Sequence, residues 1–229
     1  MRFMLAIFVL LLVLPTALAG GKRSDSVERL KRAAEVFNEI MGAPDKGIPA
    51  DLLDRSECVA IIPGVIKGGF VVGGRYGKGM VMCRMPNKRW SAPSFITVGG
   101  GSFGLQIGGQ KVDVVMLIMN RRGMDRLIGD QFTLGADAAA AAGPVGRQAS
   151  AETNARLDAE ILTYSRARGL FAGVTLNGAV VKQDKDDNRD FYGKEIDARE
   201  ILFSGKVELP AEAQPLAAAL SRESPRKSK

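Results

Sequence analysis

The chain has 229 residues, 46% of them hydrophobic, and a formal charge of +7, which is enough material for one domain with a full apolar core. It contains no histidine, which excludes imidazole-based triads, histidine-ligated zinc and a histidine general base. The positive excess is concentrated in the centre: between Cys58 and Asp130, ten basic side chains stand against three acidic ones, a balance that favours an anionic partner such as a membrane surface or nucleic acid.

Residues 1–19 combine Arg2, an apolar run from Phe3 to Leu14, Pro15, and small residues at Ala17 and Ala19. This is the pattern of a secretory signal peptide cleaved before Gly20, the run being shorter than the ~20 residues that span a bilayer. The expected localisation is therefore exported, periplasmic or secreted, and export argues against nucleic acid. From Ser24, the residues Val27, Leu30, Ala34, Phe37 and Ile40 or Met41 recur at three- and four-residue intervals and predict an amphipathic helix with Arg29, Lys31 and Arg32 turned away. Gly42, Ala43 and Pro44 end it. A short helix is expected from Pro49 to about Ser56.

After Glu57 the texture changes to short β-type runs broken by glycine: CVAII, GGFVVGG, GMVMCR, SFITVGG, SFGLQIGG and VDVVMLIM. Successive strands of this kind predict antiparallel pairing, and glycines within them predict bends. Asn120 is placed to cap a helix through Met124, Leu127 and Ile128, and FTLG follows as a strand. The segment ADAAAAAGPVGR is open between helix and strand. ILTYS and GLFAGVTLNGAVV read as strands, DKDDNRDFYG as a loop, and Ile196 to Phe203 as a short helix. The end, 204–229, reads as a loosely attached helix and a disordered basic tail. The fold class expected is α+β: a strongly curved antiparallel sheet or partial β-barrel from Val59 to Val181, with short helices packed at its ends.

Three motifs are weighed and set aside. Gly99, Gly101 and Gly104 match the dinucleotide fingerprint, but β structure continues after them where a helix should open, so no nucleotide is expected. Asp184, Asp186, Asn188, Asp190 and Glu195 fit calcium-loop spacing, yet Arg189 stands where glycine is required. A polar hairpin tip is the preferred reading, with Asp184, Asp186, Asn188 and Glu195 kept as weak metal candidates. Cys58 and Cys83 suit a disulfide in an exported chain, while their core-type neighbours favour free, buried cysteine. No cofactor is implied. A carboxylate pair such as Asp113 and Asp125 has no motif behind it, so the chain is not expected to be an enzyme.

GGFVVGGRYGKGMVMCR, RWSAPSFITVGGGSFGLQIGGQKVDVVMLIMN, FTLGADAAAAAGPVGR, YSRARGLFAGVTLNG and the later FYG resemble, in order, the signature blocks of the SYLF domain family. The likeness spans Ser24 to Phe203, which gives a division into a signal peptide (1–19), a SYLF domain (20–203) and the tail (204–229). It implies a lipid-binding module without catalytic residues, with actin association in eukaryotic members that carry further domains and single-domain exported members in bacteria. It also implies that a helix at the position of Val27 to Met41 contributes to lipid binding in some members. For an exported chain the expected partner is anionic phospholipid headgroups, with peripheral membrane association and no actin. The candidate contacts are Lys67, Arg75, Lys78, Lys88, Arg89, Trp90, Arg29 and Arg32. A structural or protein-interaction module of the cell envelope is the alternative.

Overall fold

The computed structural model describes residues 19–43, 47–104, 110–127, 129–145, 159–167 and 170–224. The expected signal peptide, apart from Ala19, and the last five residues of the basic tail lie outside them. The chain forms one strongly curled, open α+β sheet of eight strands, in the order β4-β8-β2-β1-β3-β6-β5 with β7 beside β6. In chain order the strands are β1 (Cys58–Cys83), β2 (Ser94–Gly104), β3 (Gln110–Ile118), β4 (Gln131–Thr133), β5 (Ala140–Ala142), β6 (Ile161–Ala167), β7 (Leu170–Gly173) and β8 (Val180–Gln183). Helices α1 (Ala19–Met41) and α2 (Ala50–Arg55) precede the sheet, α3 (Arg121–Leu127) follows β3, and α4 (Lys185–Tyr192), α5 (Ala198–Phe203) and α6 (Gln214–Glu223) close the chain.

The centre of the sheet is β1, and it is folded back on itself. A straight strand of its 26 residues would reach about 85 Å, yet its terminal Cα atoms are 4.0 Å apart and joined by the Cys58–Cys83 disulfide. Its first arm, Cys58 to Lys67, pairs with β3, and its second, Val71 to Val81, pairs with β2. Glycine permits the arms to close: a Cβ at Gly79 would stand 2.4 Å from the Ile61 carbonyl oxygen. The disulfide settles the choice left open by the sequence against free cysteine. Core-type neighbours were a poor guide because a bond between adjacent arms buries both sulfurs as completely as packing does.

Two apolar layers sandwich the sheet. On one face α1, α2, α4 and α6 pack Leu30, Phe37, Leu52, Leu53, Phe191 and Leu216 against Val59, Ile61, Met80 and Met82. On the other, α3 and α5 contribute Leu127, Ile201 and Leu202 over Ile62, Val81, Val114 and Met116, beside the disulfide. Alternation along each arm sends successive side chains to opposite layers, which is why nearly unbroken apolar runs were needed.

Several expectations change. Helix α1 begins at Ala19, not Ser24. The segment read as a polar loop is α4, because Asp184 caps it by accepting from the Asp187 amide and Gly193 ends it in the left-handed conformation at φ 71. The alanine run becomes β5, and its pairing with β6 is parallel. Asn120 caps α3 as expected, accepting from the Gly123 amide at 3.0 Å. Helix α6 is not loosely attached, since Leu216, Ala217, Ala219 and Leu220 are buried in the layer that contains α1. Gly99, Gly101 and Gly104 lie inside β2, paired to the second arm of β1, where the fingerprint requires a tight turn.

Candidate functional site

The eight candidate contacts separate into four places. At the fold-back of β1, where the arms change partner between Lys67 and Val71, Gly77 lies against Val65, and the same antiparallel course two residues on carries Lys67 opposite Arg75. Burial lowers the pKa of Lys67, and the positive charge of Arg75 lowers it further; burial also lowers that of Arg75. The Arg75 Nη2 donates to the Gly101 carbonyl at 3.2 Å, while its buried Nε has no hydrogen-bond partner. Segments 66–79 and 94–112 contain no aspartate or glutamate, and Asp113, the next residue of β3, is engaged by Arg166 and the Gly64 amide. Ile66 and Tyr76, next to the pair on its arms, are 51% and 54% exposed.

At the waist of the sheet, Lys78 and Arg29 are consumed by the α4 cap. Lys78 Nζ lies 2.8 Å from Asp184 and 3.0 Å from Asp187, and Arg29 lies 2.7 Å from Asp187. Burial would lower the Lys78 pKa, but the hydrogen bonds it donates to the two carboxylates outweigh it and raise it. Burial pushes Asp184 up, but the hydrogen bonds its carboxylate accepts from Lys78 and from the Asp187 amide bring it below the usual carboxylate range. Both cations fasten α1 and the second arm of β1 to the start of α4, so their charges are already compensated within the fold. Arg29 points inward because Asp187 waits there, a partner 158 residues away that helical periodicity cannot register. The same pairing answers the calcium reading. Asp184 and Asp187 are already neutralised, Asn188 is buried and accepts from the Phe95 amide at 2.8 Å, and Glu195 is paired with Arg189.

Arg32 stands apart on the exposed side of α1, 3.3 Å from Glu28. At the disulfide end, Lys88 and Arg89 are exposed in the turn after β1, with Lys88 in the left-handed region at φ 64. Trp90 is not a surface anchor. It is 3% exposed, and the Arg84 guanidinium stacks 4.4 Å from its ring. Arg84 in turn donates to the Ser56 and Ser224 carbonyls, tying β1 to α2 and the end of α6.

Two concave features accompany these groups. Beside α4, a groove of about 610 Å³ carries Lys78, Lys182 and Lys185 against Asp130, Asp184 and Asp186, a balance with no preference for an anion. At the disulfide end, a cavity of about 460 Å³ is lined by Arg84, Lys88, Arg121 and Arg199, with Glu57 and Asp125. Sequence reasoning missed this second convergence. Arg199 sits some 80 residues from Arg121 along the chain, and nothing in either segment signals that α3 and α5 share one face.

An α+β half-barrel with cations gathered at both ends of a folded-back central strand is a binding architecture. A family model described as "Las17-binding protein actin regulator" (Ysc84) matches residues 99–223. The chain belongs to this family, the SYLF domain family. Rat and human SH3 domain-containing YSC84-like protein 1 are each 38% identical over 81% of the chain. LAS seventeen-binding protein 3 of Saccharomyces cerevisiae is 36% identical over the same share. The chain spans 56% of the length of the animal relatives and 42% of the yeast one. The names correct one expectation: this is a family described by an actin regulator, so dismissing actin on the ground of export was unwarranted.

Proposed function

We propose that this chain is a non-enzymatic docking module that binds anionic phospholipid surfaces through the fold-back end of its sheet. The Lys67–Arg75 juxtaposition carries the reading. Like charges placed opposite each other on adjacent strands are destabilising, and here both are partly desolvated, while the acid of the neighbouring strand β3, Asp113, is taken up by Arg166 and the Gly64 amide. A lipid phosphate between them supplies the missing charge through charge-assisted hydrogen bonds. Exposed Ile66 and Tyr76 add an apolar contact and an aromatic ring suited to the headgroup level. The disulfide supports an exported setting, because such bonds persist in oxidising compartments.

Co-sedimentation with vesicles tests the proposal. Binding should require acidic lipid and weaken as salt rises; equal binding to purely zwitterionic vesicles overturns it. The family description favours a second reading, an actin-regulatory partner. Co-sedimentation with filamentous actin in the absence of lipid is the outcome that supports that reading.

A further inference from the structure

The cavity at the disulfide end lies a full arm of β1 away from the fold-back and is built differently. Its apolar wall consists of Met85, Pro86, Met124, Leu202 and Phe203, and its charged rim of four cations and two carboxylates. Three separate elements converge on it: the turn after β1, α3 and α5. We infer that this cavity is a binding site for a single-chain amphiphile with an anionic head, carboxylate or phosphate. A volume of about 460 Å³ is that of a small-molecule pocket, and an apolar lining with a few placed charges is the usual composition of one. Methionines on the wall adapt to a flexible chain.

The division of labour among the cations sharpens the site. Arg84 is held by the Ser56 and Ser224 carbonyls, and Arg121 lies 3.7 Å from Asp125. Neither Lys88 nor Arg199 is ion-paired with a carboxylate among the described residues, so the head group falls to these two. The chain then runs inward over Met124, Leu202 and Phe203. This inference is independent of the fold-back reading, because no residue is shared between the two sites.

Trp90 provides the readout. It is the only tryptophan, and Arg84 both stacks on its ring at 4.4 Å and lines the cavity. The full chain is titrated below the micellar range with dodecanoate, dodecyl phosphate, dodecanol and inorganic phosphate, following Trp90 emission and, in parallel, heat by calorimetry. Saturable binding of one or both anionic amphiphiles is expected, with dodecanol and inorganic phosphate at least tenfold weaker; the tighter of the two anions identifies the head group. Arg199→Glu should raise the half-saturation point at least fivefold, and Arg199→Gln by a smaller factor in the same direction. Lys67→Glu should leave it unchanged while reducing vesicle binding, which separates this site from the fold-back proposal. Absence of saturable binding by both anions in calorimetry, equal binding of dodecanol, or wild-type affinity in both Arg199 variants with intact circular dichroism overturns the inference.

Discussion

At the fold-back of β1, two cations face each other and the acid of the neighbouring strand, Asp113, is already paired with Arg166; at the opposite end, where Cys58 meets Cys83, the buried cation Arg84 is wholly engaged. Arg84 stacks on Trp90 and ties two carbonyls, so its charge contributes to the fold. Lys67 and Arg75 do the reverse, since burial disfavours the charge of both and Arg75 disfavours that of Lys67 further. The contrast teaches that half-buried cations differ by what faces them, and that an uncompensated pair in a well-packed sheet calls for a partner from outside. The same contrast yields variants that act on stability at one end and on binding at the other.

The largest effect should come from Trp90→Ala. Removing a buried aromatic costs about 3 to 5 kcal/mol, and here the stacking surface of Arg84 goes with it; urea denaturation measures the loss. Vesicle binding by the fraction that remains folded should be unchanged. A variant that folded normally and lost vesicle binding would reverse the roles of the two ends. Next, replacing both cysteines by serine releases the ends of the arms, which are 25 residues apart in the chain. Loop-closure entropy of that size corresponds to about 3 kcal/mol. The same denaturation should show the deficit, again without change in lipid dependence.

How much of this was legible beforehand follows the range of each interaction. Helix α1, the glycine-broken strands and the Asn120 cap rest on neighbours within a few residues, and periodicity reported them. The glycines within the strands also announced a curled sheet, because glycine inside a strand marks a bend. What failed was long-range. Arg29 meets Asp187, Lys78 meets Asp184, and Arg121 meets Arg199 around one cavity; no local spacing encodes such meetings. Asp184 deceived in a different way, since an aspartate before a polar run serves equally as a turn former and as a helix cap. Lys67 and Arg75 were both named from sequence and found facing each other, though the reason for their pairing, the fold-back of one strand, was not foreseen.

At the fold-back, Lys67→Glu should move stability and binding in opposite directions. It exchanges a like-charge pair for an opposite one across the arms, a change of roughly 0.2 to 1 kcal/mol in favour of the fold, visible as a modest rise in melting temperature. It also removes one cation and adds one anion at the end proposed to meet the bilayer. At about 1 kcal/mol per charge near an acidic bilayer, the vesicle partition coefficient should fall at least tenfold. A fall in both quantities would show that Lys67 is a structural residue, and unchanged binding would remove the fold-back from consideration.

Between the two ends, the Lys78–Asp184 pair should give the waist its own acid sensitivity. The folded protein holds Asp184 below its ordinary value of 3.8, so the unfolded chain takes up a proton first as pH falls. The stabilisation is therefore complete above about pH 5 and lost progressively as pH drops through 3.8 toward the folded value. Asp184→Asn keeps a capping side chain and removes the titration, so its melting temperature should depend less on pH than that of wild type in this range.

The smallest effect is expected from reversing Lys88 and Arg89 together. Both are exposed in the turn after β1, and glutamate at the left-handed position of Lys88 is no more strained there than lysine, so the melting temperature should hardly move. Distance decides the effect on binding. An arm of ten residues, Cys58 to Lys67, spans about 30 Å at strand geometry. That is more than three times the screening length of about 8 Å at physiological ionic strength. Charges at the disulfide end therefore contribute little to a bilayer held at the fold-back, and the partition coefficient should change less than threefold in physiological salt. At low salt, where the screening length approaches 30 Å, the same variant should bind measurably more weakly. A tenfold loss in physiological salt would place the disulfide end on the membrane and leave the uncompensated pair at Lys67 and Arg75 without its lipid partner.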